Sequence, residues 1–353
     1  MKEKAIILLK KKSWWSDLLI KKMSKIFKCY IEILDDYQNL TLKSQIEKFN
    51  YTIKKKKIFY AFFEGDYPKH FSFYFINNIK INKKFLISMD DYDCHGINKY
   101  TASACDGVLS ACPESVRKYI SKKINCLYFP IESDEKIFKN LNLKKKIDIL
   151  SFGELKEDRK KYIDFLNKNN FHVEHYGNGS NYLSFKNLVK KINQSKLVIN
   201  FSKASASKEY GNEIKKKKYY QWKGRILITG FCNSVCITEK TPQAKYILDK
   251  KNLITFRTKN NLKIKLKYYL NHHKALDKLR INFNKNCQKY LDINYLTTVK
   301  DFCNNSRSQK VLKIPKWYFL YFFKQILRKK MKNKFKKLFD ILYFINFLHE
   351  TNK

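Results

Sequence analysis

The sequence predicts an α/β protein made of two doubly wound, Rossmann-like parallel-sheet domains facing a cleft, followed by a basic, aromatic helical extension. Three observations carry that expectation. A chain of 353 residues is longer than one core usually supports, and its 44% of apolar residues is enough to fill two. Short apolar runs alternate with longer amphipathic stretches, the rhythm of parallel strands joined by crossover helices. That rhythm breaks once, at the Lys-rich stretch ESDEKIFKNLNLKKK (132–146), and then starts again. The boundaries follow as 1–140, 141–305 and 306–353.

Taken in order, the strand candidates of the first domain are AIILL, CYIEIL, KIFYAFF, KFLISMD, GVLSA and NCLYFP. Those of the second are IDILSFG, FHVEHYG, KLVINFS, SVCITE and NLITF. Each is rich in β-branched and aromatic residues, and most are separated by segments long enough for a helix. In such sheets ligands sit beyond the carboxyl ends of the strands, so the strand ends are where chemistry is sought.

Composition narrows the function classes. The formal charge of +43 raises nucleic acid and anionic membranes as partners. Yet the cations are almost all Lys, with Arg only at 117, 159, 225, 257, 280, 307 and 328. Base and phosphate readers lean on the Arg fork, so nucleic acid is not the favoured partner. Nine Cys with no CxxC pair argue against a disulfide framework and against a zinc site. The apolar run Ala5 to Leu9 is short for a signal-peptide core, and no uncharged run is long enough to span a bilayer. A reduced, cytoplasmic location is expected.

Several strand ends of the second domain carry polar groups. DILSFGELKEDR places Gly153 after a strand and before a helix, with Arg159 inside that helix. VINFSK leaves Asn200 and Ser202 at a strand mouth, and HYGNGSN is a glycine-rich turn. Each stretch alone is equally compatible with ordinary turn chemistry. In QWKGRILITGFCNSVCITEKTPQ, Lys223, Gly224 and Arg225 fall at the start of a helix, and Thr238 and Glu239 leave the following strand. A phosphate near that helix start would gain from both cations and the dipole.

The ordered set Gly153, Arg159, Asn200, Lys223, Gly224, Arg225, Thr238 and Glu239 resembles the carboxyl-terminal domain of GT-B glycosyltransferases, in particular the group similar to spore-coat maturation-type enzymes. The resemblance covers roughly residues 147 to 300. It implies transfer of a sugar from a nucleotide-sugar donor held by the second domain to an acceptor held by the first. It further implies no bound metal or cofactor, with Lys223 and Arg225 neutralising the diphosphate leaving group. The sequence departs from the family pattern where Leu227 replaces Phe, Ile228 replaces Glu, Asn233 replaces Gly and Gln243 replaces Glu. Glu213 and Glu239 are the carboxylates that would compensate. A glycosyltransferase-like binding protein without turnover is the alternative.

In the first domain FLISMDDYDCHG ends a strand with Asp90, Asp91, Asp93 and His95. An acidic strand mouth supplies a general base for an acceptor hydroxyl, Asp91 first, Asp93 next and His95 as partner. The same pattern reads equally as a helix cap, and three close carboxylates also suit a hard cation. Glu64 and Asp66 form a second acidic strand end. The extension from residue 306 interleaves Trp317 and other aromatics with Lys. It is expected to touch an anionic membrane surface from the inner face, which suits a lipid-linked or envelope-glycan acceptor, or else to pack back on the domains.

Overall fold

The computed structural model describes residues 2–34, 40–65, 72–89, 91–177, 181–204, 219–249 and 252–321. The chain forms two compact units, one of residues 1–129 with those from 298 onward, the other of residues 130–205 and 216–297.

The first unit is built from β1 (Lys4–Leu9), α1 (Trp14–Ile26), β2 (Lys28–Ile33), α2 (Leu42–Lys56), β3 (Tyr60–Glu64), α3 (Phe73–Asn77), β4 (Lys83–Ser88), α4 (Asp91–Ser103), β5 (Gly107–Ser110), α5 (Pro113–Ile120) and β6 (Cys126–Tyr128). Every pairing is parallel, in the order β2-β1-β3-β4-β5-β6. β1 and β3 are buried along nearly their whole length, as central strands covered on both faces must be. The local sequence sets the helix ends. Ser13 and Ser16 form a reciprocal capping box at α1, and Pro113 occupies the first turn of α5.

Residues 298–305 and the start of the carboxyl-terminal extension belong to this unit. Phe302 packs on Phe85, and a Cβ on Gly107 would come within 2.8 Å of its ring, so the glycine makes room for it. Tyr318 is fully buried, its hydroxyl accepting from Phe73 N at 3.0 Å and bonding to Thr101 Oγ1 at 3.1 Å. Up to residue 321 the extension therefore packs back on its own unit, with Trp317 at 39% exposure. The remainder of the stretch expected at a membrane, 322–353, lies outside the described residues. No helix among the described residues is long and apolar enough to cross a membrane.

The second unit contains β7 (Ile147–Phe152), α6 (Glu157–Asn167), β8 (Val173–Tyr176), α7 (Phe185–Asn193), β9 (Ser195–Asn200), the two-residue strands β10 (Lys203–Ala204) and β11 (Tyr219–Tyr220), α8 (Arg225–Phe231), β12 (Val235–Glu239), β13 (Ile254–Phe256), α9 (Lys259–Asn271) and α10 (His273–Gln288). α11 (Asp292–Asn305) begins in it and continues into the stretch that groups with the first unit. The sheet is parallel, in the order β13-β12-β9-β7-β8. All eleven strands expected from the sequence are present.

Strand order fixes where each sheet opens. In the first sheet β2 lies on one side of β1 and β3 on the other, and in the second β8 and β9 flank β7 in the same way. The crossovers diverge at those points, leaving a crevice at the carboxyl ends of β1 and β3 and another at those of β7 and β9.

Candidate functional site

The crevice of the second sheet is built around Gly153. Its φ of +96° is a conformation that favours glycine, and Gly153 N donates to Tyr176 O at 2.8 Å. Gly177, also at positive φ, lies so close that a Cβ there would come within 2.7 Å of Gly153 N. On the other side sits Arg225, whose Nη2 would be 2.8 Å from any Cβ on Gly153. Two glycines and an arginine thus stack where β7 and β8 end, and no larger residue fits at either glycine.

Arg225 projects from the first turn of α8. Its Nη1 donates to Phe152 O at 2.7 Å, and its guanidinium lies 5.5 Å from the Phe152 ring centre. Burial, with Arg159 nearby, holds its pKa down at about 10. Arg159, on α6, donates through Nη1 to Glu154 O at 2.6 Å and is likewise shifted down by burial. Two partly buried guanidiniums, one of which disfavours the charge of the other, form a site whose complement is an anion.

His175, which the sequence offers only as part of a strand and the turn after it, joins this group. It stands beside Ser151 in the β7–β8 register. Neither ring nitrogen has a hydrogen-bond partner among the described residues. Burial first, then Arg225 and Arg159, hold the imidazole below its usual pKa of 6.5.

The helix start holds a surprise. A Cβ on Gly224 would sit 2.5 Å from Glu132 Oε2, so a carboxylate of the chain already lies at the residue that precedes α8. Lys223 turns to Gln221, its Nζ donating to Gln221 Oε1. Neither Lys223 nor Gly224 therefore stands open as a ready phosphate cradle, and α8 has only seven residues. The cationic character of the site comes from Arg225 and Arg159 instead.

Asn200, Ser202, Thr238 and Glu239 do come together, at the ends of β9 and β12. Asn200 Nδ2 donates to Thr238 Oγ1 at 2.8 Å and to Ser202 Oγ at 3.1 Å, and Ser202 Oγ donates to Glu239 O at 3.2 Å. Lys203 N donates to Glu239 Oε2 at 2.8 Å. Asn200, Ser202 and Thr238 have no exposed surface, and Glu239 has 4%. Asn200 Oδ1 is buried without a partner among the described residues. The four residues form a polar lock that fixes Glu239 and the start of β10. Burial raises the Glu239 pKa, opposed by Lys203 and Arg159.

The departures from the family pattern have structural counterparts. Asn233 has φ +53° just beyond α8, where Asn is the side chain that best replaces Gly. Its Oδ1 accepts from Arg280 Nη1 at 2.8 Å, and its carbonyl accepts from Lys145 Nζ at 2.8 Å. Ile228 is buried at 5% exposure with the other side chains of α8. Gln243, equally buried, accepts through Oε1 from Thr241 Oγ1 at 3.1 Å.

In the first unit Asp91 opens α4, and Asp93 lies in its first turn. Their side chains lie outside what the structure describes, as do Asp66, Asp90 and Glu213 entirely. His95 is buried at 9% exposure, with its ring 4.6 Å from that of Tyr119. Glu64, at the crevice of the first sheet, is 1% exposed, and its Oε2 accepts from Lys10 N at 2.7 Å.

Among the described residues, one group of carboxylates has the spacing to hold a metal: Asp134, Glu135 and Asp292, with candidate ligand atoms within 4.8 Å of one another. Asp292 Oδ1 accepts from Ser133 Oγ at 2.8 Å, and Asp292 N donates to Ser133 O at 2.9 Å. These bonds tie the start of α11 to the connector at 130–138.

No family model matches the chain, and no curated protein matches it by sequence. Solved structures do match in three dimensions. Sucrose-phosphate synthase from Thermosynechococcus elongatus aligns with a TM-score of 0.58 at 9% identity, covering 85% of this chain and 98% of that one. HepE from Anabaena, in complex with UDP, gives 0.58 at 9% identity over 85% and 99%. A glycosyltransferase from Rickettsia africae gives 0.55 at 11% identity over 86% and 100%. With its two parallel-sheet α/β units this chain has the GT-B fold.

Proposed function

We propose that this protein is a glycosyltransferase that moves a sugar from a nucleotide-sugar donor to a glycan or lipid-linked acceptor of the cell envelope. The single observation that carries the reading is the Gly153 crevice. A glycine at positive φ, forced by its neighbours to stay glycine, lies beside the Arg225 guanidinium, whose charge is disfavoured by burial and by Arg159 and would be favoured by an anionic diphosphate. Support comes from the fold, which this chain shares with HepE, solved with UDP.

In this mechanism Arg225 and Arg159 stabilise the charge that develops on the departing nucleoside diphosphate, so no resident metal or cofactor is called for. Glu239, held by its lock, accepts a hydroxyl of the donor. The acceptor belongs to the first unit, where Asp91, then Asp93, is the general base proposed to take the proton of its hydroxyl, with His95 as partner. A protein acting on envelope acceptors in this way would work at the inner face of the membrane.

A second reading, binding without turnover, is favoured by Ile228, which offers no carboxylate where the resembled family has one. Thermal unfolding with UDP, UDP-sugars, GDP-sugars and free nucleotides tests both. A ligand at a hundred times its Kd adds about 2.7 kcal/mol of stability. Transfer requires a shift together with release of nucleotide from a sugar donor. A shift without release leaves the binding reading, and no shift with any nucleotide ends both.

A further inference from the structure

The Gly153 crevice holds two arginines and one imidazole, and the sugar-transfer reading leaves the imidazole without a role. Side chains alternate along β8, and the two faces of the strand are spent differently. Glu174 and Tyr176 share one face, where Tyr176 Oη donates to Glu174 Oε2 at 2.9 Å and Lys191 Nζ of α7 donates to the same oxygen at 2.9 Å. Val173, on the other face, belongs to one core cluster with Ile163 and Leu166 of α6. His175 takes that second face at the carboxyl end of the strand, and two residues on Gly177 lies against Gly153. Both ring nitrogens of His175 are shut off from solvent, and neither has a hydrogen-bond partner among the described residues. Buried polar groups are normally bonded, so a ring left this way at the mouth of a parallel sheet points to a ligand.

Arg225 acts on the ring from the first turn of α8 and Arg159 from α6, while β7 beside it presents Ser151. The carboxylates act one step further out, Glu154 and Glu239 on Arg159 and Glu132 on Arg225. Burial first, then the two guanidiniums, keep the imidazole below its usual pKa, so it is neutral at pH 7. Arg225, held at about 10, is still charged there. A nucleotide sugar brings two negative charges on its diphosphate. When the bond from the sugar to the diphosphate oxygen breaks, the electron pair stays on that oxygen and a third charge appears. Two arginines match the first two charges. Lys223 is turned to Gln221, which leaves the third to another group.

We propose that His175 is the third cation of the site: neutral in the empty crevice, it takes a proton from solvent when the diphosphate of a donor binds, and it then faces the charge that develops on the leaving group. This rests on the placement of the donor in the Gly153 crevice. Two positive neighbours oppose the proton in the empty site, and the same neighbours neutralised by a diphosphate do not. By linkage the converse holds, so a proton on His175 tightens donor binding. Affinity rises as pH falls from the pKa of the bound state to the lower one of the empty state, and levels off below it.

The test is isothermal titration calorimetry of the full chain with UDP-glucose and with GDP-mannose, in buffers of low and high ionisation enthalpy. Both probes are diphosphate diesters that do not titrate near neutral pH, so a proton taken up belongs to the protein. At pH 7 the parent is expected to take up roughly 0.7 proton per ligand bound, and to lose about five-fold in affinity from about pH 6.5 to 7.5. His175→Gln should bind with no measurable uptake and with less than about a 1.5-fold change over that range. His172→Gln, at an exposed histidine just before the other end of β8, should behave as the parent does. Binding by the parent without proton uptake overturns the proposal and leaves the donor site standing. So does uptake lost equally in His172→Gln, or uptake that survives in His175→Gln and disappears in Glu239→Gln, since burial raises that carboxyl too. Binding of neither probe at any pH ends the proposal and the donor site together. Circular dichroism checks each variant, with His175→Asn in place of a His175→Gln that does not fold, and the proton balance of the parent decides without either.

Discussion

The crevice of the first sheet and that of the second come from the same topology and are lined by different side chains. Where β1 and β3 diverge, a carboxylate is buried: Glu64 is held by Lys10 N and followed by Gly65, whose φ is ordinary. Where β7 and β9 diverge, Gly153 sits at φ +96° with Arg225 against it and Arg159 close by. Doubly wound strand order supplies the opening in both, and the side chains decide what enters it. A buried carboxylate repels a diphosphate; two crowded guanidiniums attract one. The proposal that the second unit holds the anionic donor and the first the hydroxyls of the acceptor rests on that difference.

The largest difference between the two crevices is backbone strain. Gly153→Ala forces a side chain into positive φ and against the Arg225 guanidinium, and is expected to cost about 3 kcal/mol of folding stability. Gly65→Ala meets Ile87 O and Leu86 Cγ at 3.1 Å without the φ penalty and should cost about 1 kcal/mol. Urea unfolding of the two variants measures both, and equal costs would erase the distinction.

A smaller effect concerns the carboxylate that the second crevice does contain. Glu132 lies at the start of α8 and competes for the field that a phosphate would feel. Glu132→Gln should tighten UDP binding about five-fold, by roughly 1 kcal/mol, in isothermal titration calorimetry. Weaker binding would mean that Glu132 positions Gly224 for the ligand rather than opposing it.

The smallest effect is a pH dependence. The folded-state pKa of His175 lies below the unfolded value of 6.5, so at lower pH the unfolded chain takes up the proton first. Stability contributed by the neutral imidazole is complete above that value and is lost as pH falls below it. His175→Asn should therefore flatten the fall in the thermal midpoint between neutral and mildly acidic pH. An unchanged slope would mean that burial and the two arginines do not lower the His175 pKa.

Periodicity made the eleven longer strands readable, because each is a short apolar run whose neighbours in sequence are amphipathic. β10 and β11 were not readable, since two residues carry no period. The ordered motif placed Gly153 and the Asn200–Glu239 set at strand ends and Arg159 and Arg225 in helices, as the structure has them, but not which way the side chains turn. Asn200, Ser202 and Thr238 bond to one another, which follows from the parallel pairing of β9 with β12 and from no local signal. Glu132 reaches Gly224 from the connector, and His175 gains its neighbours from α6 and α8. Such long-range contacts leave no spacing rule in the chain. Asn233 is the contrasting case: its tolerance of positive φ is a property of the residue itself, so its replacement of a glycine was interpretable in advance.

Calorimetric titration of UDP into the parent protein, Arg225→Ala and Glu64→Gln tests the assignment of the donor most directly. Binding by the parent is expected, with a loss on the order of 100-fold in Arg225→Ala and less than about a two-fold change in Glu64→Gln. Undiminished affinity in Arg225→Ala, or a large loss confined to Glu64→Gln, would contradict the placement of the anion in the second crevice.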